Sequence, residues 1–266
     1  MFHLAGVDKE KFMQGVADDP QTYKDWSSGE WQVETDGKED DMFSPFLGKP
    51  FEQAIRDGLI PADLNTIGGT WGAVHESGEM TYMNLIHLAG CDGTDADSLT
   101  KFEIEGRRQA MVAIEALRHY TAGCEAVRLR NFGMSIGIRD SRKIDAVYNM
   151  TETDVRQEGR FDDSIGIYPE FIDGYRILIL PTTGRYMQIP YRAMVPKNVE
   201  NLLVAGRAIG GDKVAHAATR NMACCAVAGQ GAGVAAALSV QSNCALRDID
   251  IGALQAELQR QGVRID

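Results

Sequence analysis

The chain lacks the features of a disulfide-stabilised, secreted or nucleic-acid-binding protein. Its cysteines are odd in number and form no CxxC pair, which favours a reducing compartment. No basic region followed by an apolar stretch opens the sequence, so we predict no signal peptide and expect a cytoplasmic protein. Lys and Arg total 27 against 38 Asp and Glu, which gives a net charge of −11. This acidic balance argues against nucleic acid or an anionic membrane as the partner.

Several signatures of catalytic and metal sites are also missing. There is no GxSxG or HExxH motif, and four histidines show no metal-ligand spacing, so we predict no metal: His3, His75, His87 and His119. Cys224 and Cys225 are adjacent, and neighbouring positions on a helix point about 100° apart. That geometry is poor for a disulfide, so both are expected to be small core residues.

What remains is the composition of a folded protein with a sizeable core. The 266 residues are 44% apolar and 24% charged. Sequence patterns predict a helix over 50–58, one over 97–121, a helical turn at 153–154, and helices over 219–240 and 248–260. For the helix over 97–121, Asp97, Ser98 and Thr100 are the possible caps, and Glu103 has capping-box spacing from Thr100. They predict extended structure within 66–90, strands over 143–151, 175–180 and 187–195 with an edge or bulge at Pro190, a buried parallel strand over 201–205, and a loop over 27–41.

Residues 222–240 carry no charge over nineteen positions and so imitate a membrane span. Ala and Gly dominate the segment, and neither an aromatic belt nor a Lys/Arg cluster frames it, which favours a buried helix instead. Gly229, Gly231 and Gly233 also resemble a phosphate-binding loop. Such a loop should follow a strand and open a helix, whereas these glycines continue a helix-like apolar run, so tight helix packing is the favoured interpretation.

The segment most informative about function is 196–238. It contains the predicted strand ending at Gly206 and Arg207, a glycine-containing loop, and the start of a helix rich in small residues near Thr219. A helix N-terminus presents unpaired N–H groups and positive potential. We therefore expect an anionic or electron-rich group near 219–222, with Arg220 adding a fixed charge.

Four blocks of this sequence resemble the FAD-dependent oxidoreductases, in the family's order and over roughly residues 80–240. The first comprises Glu200–Arg207 (ENLLVAGR), Ala215–His216, Arg220 and Gly229–Gly233; the others are Gly137–Ile144 with Phe161–Asp163, Ile189–Arg192 with Val195–Pro196, and Thr100–Arg108. Each block alone is weak evidence. Four blocks in order make a chance match improbable.

The resemblance implies FAD as cofactor and a mixed α/β fold, with part of a Rossmann-like FAD domain and a sheet-based substrate or cap domain. On this basis residues 1–190 are expected to belong to the cap domain, 191–242 to the FAD domain, and 243–266 to a C-terminal helix and tail. Carried over by position, the residues expected near the flavin are Gly206, Arg207, Ala208, His216, Arg220, Asn221 and Met222. The helix N-terminus would stabilise an anionic reduced flavin.

Candidate catalytic residues are less specific. His216 is either a flavin or substrate contact or a hydrogen-bonded core histidine. Arg139 and Arg142 either orient a substrate carboxylate or carbonyl, or form ion pairs with Asp140, Asp162 or Asp163. Tyr191, with Tyr186, is a candidate for acid or base chemistry. Arg107 and Arg108 are expected to be ion-paired on a helix.

Two departures from the family pattern qualify this expectation. Gly231 stands where the family usually has alanine, a difference expected to be harmless. The GxGxxG turn that holds the FAD pyrophosphate is missing from the N-terminal region. We therefore expect a partner chain carrying that half, or a homo-oligomer. The activity that the resemblance implies is hydride transfer between flavin and a small organic substrate. The alternative is a non-catalytic scaffold that keeps the flavin-domain shape but does not bind the cofactor alone.

Overall fold

The computed structural model describes residues 1–21, 32–34, 46–64, 66–174, 177–180 and 184–266. Most of the predicted loop over 27–41 lies outside these residues. The helices are α1 (Lys9–Asp18), α2 (Lys49–Arg56), α3 (Ala96–Tyr120), α4 (Glu152–Arg156), α5 (Lys213–Thr219), α6 (Met222–Ser242) and α7 (Ile251–Arg260). The strands are β1 (Phe2–Ala5), β2 (Gln32–Glu34), β3 (Phe46–Leu47), β4 (Gly69–Thr70), β5 (Met80–Met83), β6 (Arg128–Phe132), β7 (Ser164–Pro169), β8 (Ile172–Gly174), β9 (Ile177–Ile179) and β10 (Tyr186–Pro190). The predicted mixed α/β class is confirmed.

The chain forms two compact units, each with its own hydrophobic core. Unit 1 contains residues 1–25 and 39–141, and unit 2 contains residues 26–38 and 142–266. The long second segment of unit 2 begins at 142, whereas the domain boundary expected from the sequence lies at 190. The cap and flavin-domain roles given to those segments stay predictions.

Unit 1 is built on the antiparallel sheet β5–β1–β6 and the long helix α3. Helix α3 begins earlier than its predicted cap, because the Asp95 carboxylate accepts a hydrogen bond from the Ser98 N–H at 2.8 Å. Thr100 therefore lies inside the helix and donates to the Ala96 carbonyl, while Glu103 accepts from Arg107. The predicted Thr100–Glu103 capping box is wrong for this reason.

In unit 2, strands β7 and β10 pair antiparallel, and β7 packs against α6 and α7. A second small sheet has the order β2–β9–β8. The β7–β10 register shifts between Gln188 and Pro190, which confirms the predicted irregularity at the proline. The strand ends at Pro190 and a 3-10 turn follows over Tyr191–Ala193, so the predicted strand over 187–195 is too long. Proline removes a backbone donor, and beyond it the Tyr191 N–H donates to the Asp163 carbonyl at 2.8 Å, at the start of the 3-10 turn.

The C-terminal segment is hydrogen-bonded to strands β7 and β10. The Ile265 carbonyl accepts hydrogen bonds from Ser164 Oγ at 3.0 Å and from Gln188 Nε2 at 2.9 Å. Leu254 and Leu258 of α7 are fully buried, which confirms the predicted amphipathic helix at this end of the chain. Residues distant in sequence therefore complete the core of unit 2.

Two predicted strands do not form. Within 143–151 only isolated bridges occur, Ala146 with Pro196 and Met150 with Gly211. The segment 201–205 is irregular, and Leu202 is 43% exposed. Its apolar run is typical of a buried strand, but the described strands provide no neighbour for it to pair with.

The predicted helix over 219–240 is confirmed as α6, which begins at Met222. Helix α5 was not predicted; it ends at Thr219, with a break at Arg220 and Asn221 before α6. One face of α6 is buried, at Cys224, Ala228, Gly231, Ala235 and Ser239. The opposite face is exposed, so the expected burial holds for one face only. By length and composition alone α6 could cross a membrane, and 28% of its most apolar window is buried. Because Gly229 to Gly233 lie inside the helix, they do not form a phosphate loop.

Candidate functional site

The break between α5 and α6 leaves the start of α6 open. The Asn221 amide donates to the Ala218 carbonyl at 2.8 Å, so this side chain satisfies the end of α5 and does not cap α6. No acidic residue lies in the first turn of α6, and Met222 is 89% exposed. By contrast, an aspartate side chain caps each of four other helices, at Asp8, Asp95, Asp212 and Asp250. The N–H groups and positive end of the 21-residue helix α6 therefore face outward.

The guanidinium of Arg220 lies at this break and is bound to Asp173. Its Nη2 donates to the backbone carbonyl of Asp173 at 2.6 Å and to the Asp173 carboxylate at 2.9 Å. The Arg220 side chain is 13% exposed, so the charge is fixed and largely shielded from solvent. Sequence reasoning missed Asp173, because a single aspartate in a short strand carries no pattern that links it to position 220.

The cysteine pair lies just inside the same helix start. Cys225 Sγ donates to the Arg220 carbonyl at 3.4 Å, so the thiol satisfies a backbone carbonyl at the break. Burial raises the pKa of Cys225, although the charges of Arg207 and Arg220 oppose the rise. Cys224 is fully buried and both thiols are free. The expected core role is confirmed for Cys224, and Cys225 lies at the edge of that core.

Tyr168 is a second residue that sequence reasoning missed. It lies on β7 and is 6% exposed. Burial raises its pKa to about 12, while a side-chain hydrogen bond with Asn221 opposes the rise. A tyrosine in a predicted core strand has no sequence signal that would separate it from other buried aromatic residues.

A family match covers almost the whole chain. Residues 1–258 match the family described as FAD dependent oxidoreductase. The chain belongs to this family. Its cofactor is therefore FAD, and its general function is that of a flavin oxidoreductase. Comparisons with curated proteins and with solved structures gave no match.

The residues at the α6 start fit a flavin. Reduced flavin carries negative charge, and an uncapped helix N-terminus beside a fixed guanidinium suits an anionic ring. Gly206 to Ala208 form a 3-10 turn, with Gly206 at φ +76°, and the exposed Arg207 lies close enough to influence the Cys225 thiol. Arg207, Arg220, Asn221 and Met222 are thus brought together in this flavoprotein.

Two other predicted residues are enclosed in unit 2. His216 is 3% exposed, and its backbone carbonyl accepts the Arg220 N–H at 3.0 Å. Tyr191 is also 3% exposed; its hydroxyl donates to the Leu246 carbonyl at 2.7 Å, and burial raises its pKa to about 12. Both side chains are therefore buried in the flavoprotein and do not reach its surface.

The predicted arginines divide between the two units. Arg139 is exposed in unit 1, and Arg142 is exposed in unit 2. Asp163, one of their proposed partners, pairs instead with Arg192 at 3.3 Å. On α3, Arg107 pairs with Glu103 at 2.6 Å and Arg108 with Glu105 at 2.7 Å, as predicted: these two arginines are ion-paired on a helix. Across the described part of the chain, no group of three or more His, Cys, Asp or Glu could hold a metal ion.

Asp212 supports the site from the other end of α5. One carboxylate oxygen caps the Ala215 N–H at 2.8 Å and the other accepts from the Glu152 N–H at 2.8 Å. We expect Asp212→Ala to lower the free energy of unfolding by about 1.5 kcal/mol, since a lost helix cap costs about 1 kcal/mol and a second bond is lost with it. Urea unfolding would measure this change. Asp250→Ala, which removes a single cap in the same unit, is the control and should have the smaller effect.

Proposed function

We propose that this chain forms the flavin-ring side of an FAD site and takes part in hydride transfer between the flavin and a small organic substrate. The observation that carries the proposal is the uncapped start of α6 beside the fixed guanidinium of Arg220. When bound, FAD supplies the hydride acceptor or donor. The chain's own residues supply orientation and electrostatics.

The helix start would act on the charge of the ring. The N–H groups of Met222 and Ala223 and the charge of Arg220 lie where negative charge would be stabilised. Gly206, Arg207 and Ala208 would border the same region, and the enclosed His216 would support the backbone that carries Arg220. The arrangement favours the anionic reduced state over the neutral oxidised state.

Substrate contacts are assigned on residue type. We propose Arg139 and Arg142 as exposed guanidinium groups able to bind a carboxylate or carbonyl of the substrate. Tyr191 and His216 stay candidates for acid or base chemistry only if the substrate or a conformational change reaches them, because both are buried.

The pyrophosphate of FAD needs a second element. The 266 residues contain no GxGxxG turn between a strand and a helix, and the glycines of α6 are helical. We therefore propose that the pyrophosphate is held by a GxGxxG segment outside these residues, on a partner chain, or at an interface between copies.

An absorption spectrum from 300 to 550 nm tests the proposal. The protein is purified without added cofactor, its mass in solution is recorded, and FAD is then titrated in. We expect flavin bands, and a loss of FAD affinity of about tenfold in Arg220→Gln, since a charge-assisted hydrogen bond is worth about 1.5–3 kcal/mol.

Arg260→Gln is the matched control, because Arg260 is an exposed arginine paired with Glu257 on α7 and should leave FAD affinity unchanged. A protein that stays colourless with FAD, and with a GxGxxG-containing partner added, would contradict the proposal. That result would favour the scaffold function.

A further inference from the structure

We propose that Asp173 is a positioning residue that sets the balance between oxidised and reduced flavin by holding Arg220. The inference rests on the proposed function, since it assumes that the flavin ring lies at the start of α6. Asp173 would act through Arg220 and not by touching the cofactor.

The backbone of β8 fixes Asp173 in place. Asp173 is the middle residue of this strand and faces Leu178 of β9 in an antiparallel ladder. Its neighbour Gly174 lies against α5, where an added Cβ would be 3.2 Å from Ala217 Cβ. The strand and the helix that precedes the break are thus packed closely, and the Asp173 carboxylate has a defined position relative to Arg220.

The two hydrogen bonds divide the role of Asp173 into two parts. The backbone carbonyl, at 2.6 Å from Arg220 Nη2, orients the guanidinium without adding charge. The carboxylate, at 2.9 Å, also opposes its positive charge. The side chains are 13% and 28% exposed, so the attraction is stronger than in a fully solvated pair.

A neutral residue at 173 separates these parts. Asp173→Asn keeps the backbone carbonyl and an amide oxygen that can accept from Arg220, but removes the negative charge. The positive potential at the α6 start then rises, and the anionic reduced flavin gains more than the neutral oxidised flavin. Arg220→Gln removes the positive charge and should act in the opposite direction.

The test is the midpoint potential of bound FAD, measured by equilibrium reduction against reference dyes in wild type, Asp173→Asn, Arg220→Gln and Asp145→Asn. We expect Asp173→Asn to raise the affinity for reduced relative to oxidised FAD about fivefold, a shift to a more positive potential. Arg220→Gln should shift it to a more negative value. Asp145→Asn, which removes an exposed carboxylate paired with Lys197, is the control and should leave it unchanged.

Each outcome decides a separate point. An unchanged potential in Asp173→Asn, or a shift in the same direction as Arg220→Gln, overturns the inference, as does loss of FAD binding by Asp173→Asn with native circular dichroism. If Asp173→Asn fails to fold, Asp173→Ser, which also keeps the backbone carbonyl and removes the charge, must show the positive shift. A wild-type protein that binds no FAD, even with a GxGxxG-containing partner added, overturns the proposed function itself.

Discussion

Replacing Gly210 with alanine is expected to lower the free energy of unfolding of unit 2 by about 3 kcal/mol, at the upper end of the usual cost of overpacking. A Cβ at this position would lie 2.5 Å from Ala146 Cβ, 2.6 Å from Asn149 Oδ1 and 3.0 Å from the Tyr148 carbonyl oxygen. Neither side can move easily. The Gly210 carbonyl accepts from the Met150 N–H at 3.1 Å, and its N–H donates to the Ala193 carbonyl at 2.8 Å.

Gly211→Ala is a matched control in the next position of the same loop. A Cβ there would meet its nearest neighbours at 3.4 and 3.5 Å, which is ordinary contact. In urea unfolding, the free energy of unfolding of Gly210→Ala should be well below that of wild type. That of Gly211→Ala should be within about 1 kcal/mol of wild type. Equal midpoints for the two variants would show that the close approach of 146–149 to this loop is not what requires glycine.

Replacing Gly231 with alanine is expected to cost about 2 kcal/mol, even though alanine is favoured over glycine in a helix by about 1 kcal/mol. Gly231 faces β7 on the buried side of α6. An added Cβ would lie 2.6 Å from Ile165 Cδ1 and 3.0 Å from Ile165 Cβ. Ile165 is fully buried, so its side chain has little room to move.

The same helix supplies the controls for Gly231. A Cβ on Gly229 or Gly233 meets nothing within 4 Å, so each alanine variant should gain up to about 1 kcal/mol. Ile165→Val removes the Cδ1 atom and should recover part of the loss in a double mutant, with a coupling above about 0.5 kcal/mol. A Gly231→Ala variant as stable as Gly229→Ala would rule out the predicted contact.

These glycines illustrate what the sequence reveals and what it does not. The family resemblance makes Gly231 look interchangeable with alanine, because both are small. The structure separates it from Gly229 and Gly233 by the side of the helix on which each lies. Helical periodicity predicted α2, α3 and α7 to within a few residues, since their apolar faces repeat regularly.

The predicted strand over 201–205 failed for a different reason. Its apolar run satisfies the local pattern of a buried strand, but a strand exists only where another chain segment supplies hydrogen-bonding partners. Helix α5 was not predicted, because its seven residues are too few to show a helical period. The Asn221 side chain ends α5 by donating a hydrogen bond to the Ala218 carbonyl. Composition does not show that this asparagine binds the preceding helix and does not cap the following one.

The candidate site was predicted only in part. Position within the resembling blocks identified Arg207, Arg220, Asn221 and Met222, which the structure brings together. Asp173 and Tyr168 lie 47 and 53 positions before Arg220 and Asn221, their respective contacts, so only the tertiary fold relates them. Burial of His216 and Tyr191 likewise follows from packing that no local pattern reports.

The bonds to the Ile265 carbonyl also set an order of events during synthesis. Ser164 and Gln188 leave the ribosome 101 and 77 residues before their common acceptor. Strands β7 and β10, which carry these side chains, therefore lack two of their hydrogen bonds until then, whereas the sheet and helix α3 of unit 1 need no residue beyond 141. Unit 1 can therefore fold while translation continues, whereas unit 2 completes its hydrogen bonds only after residues near 265 emerge.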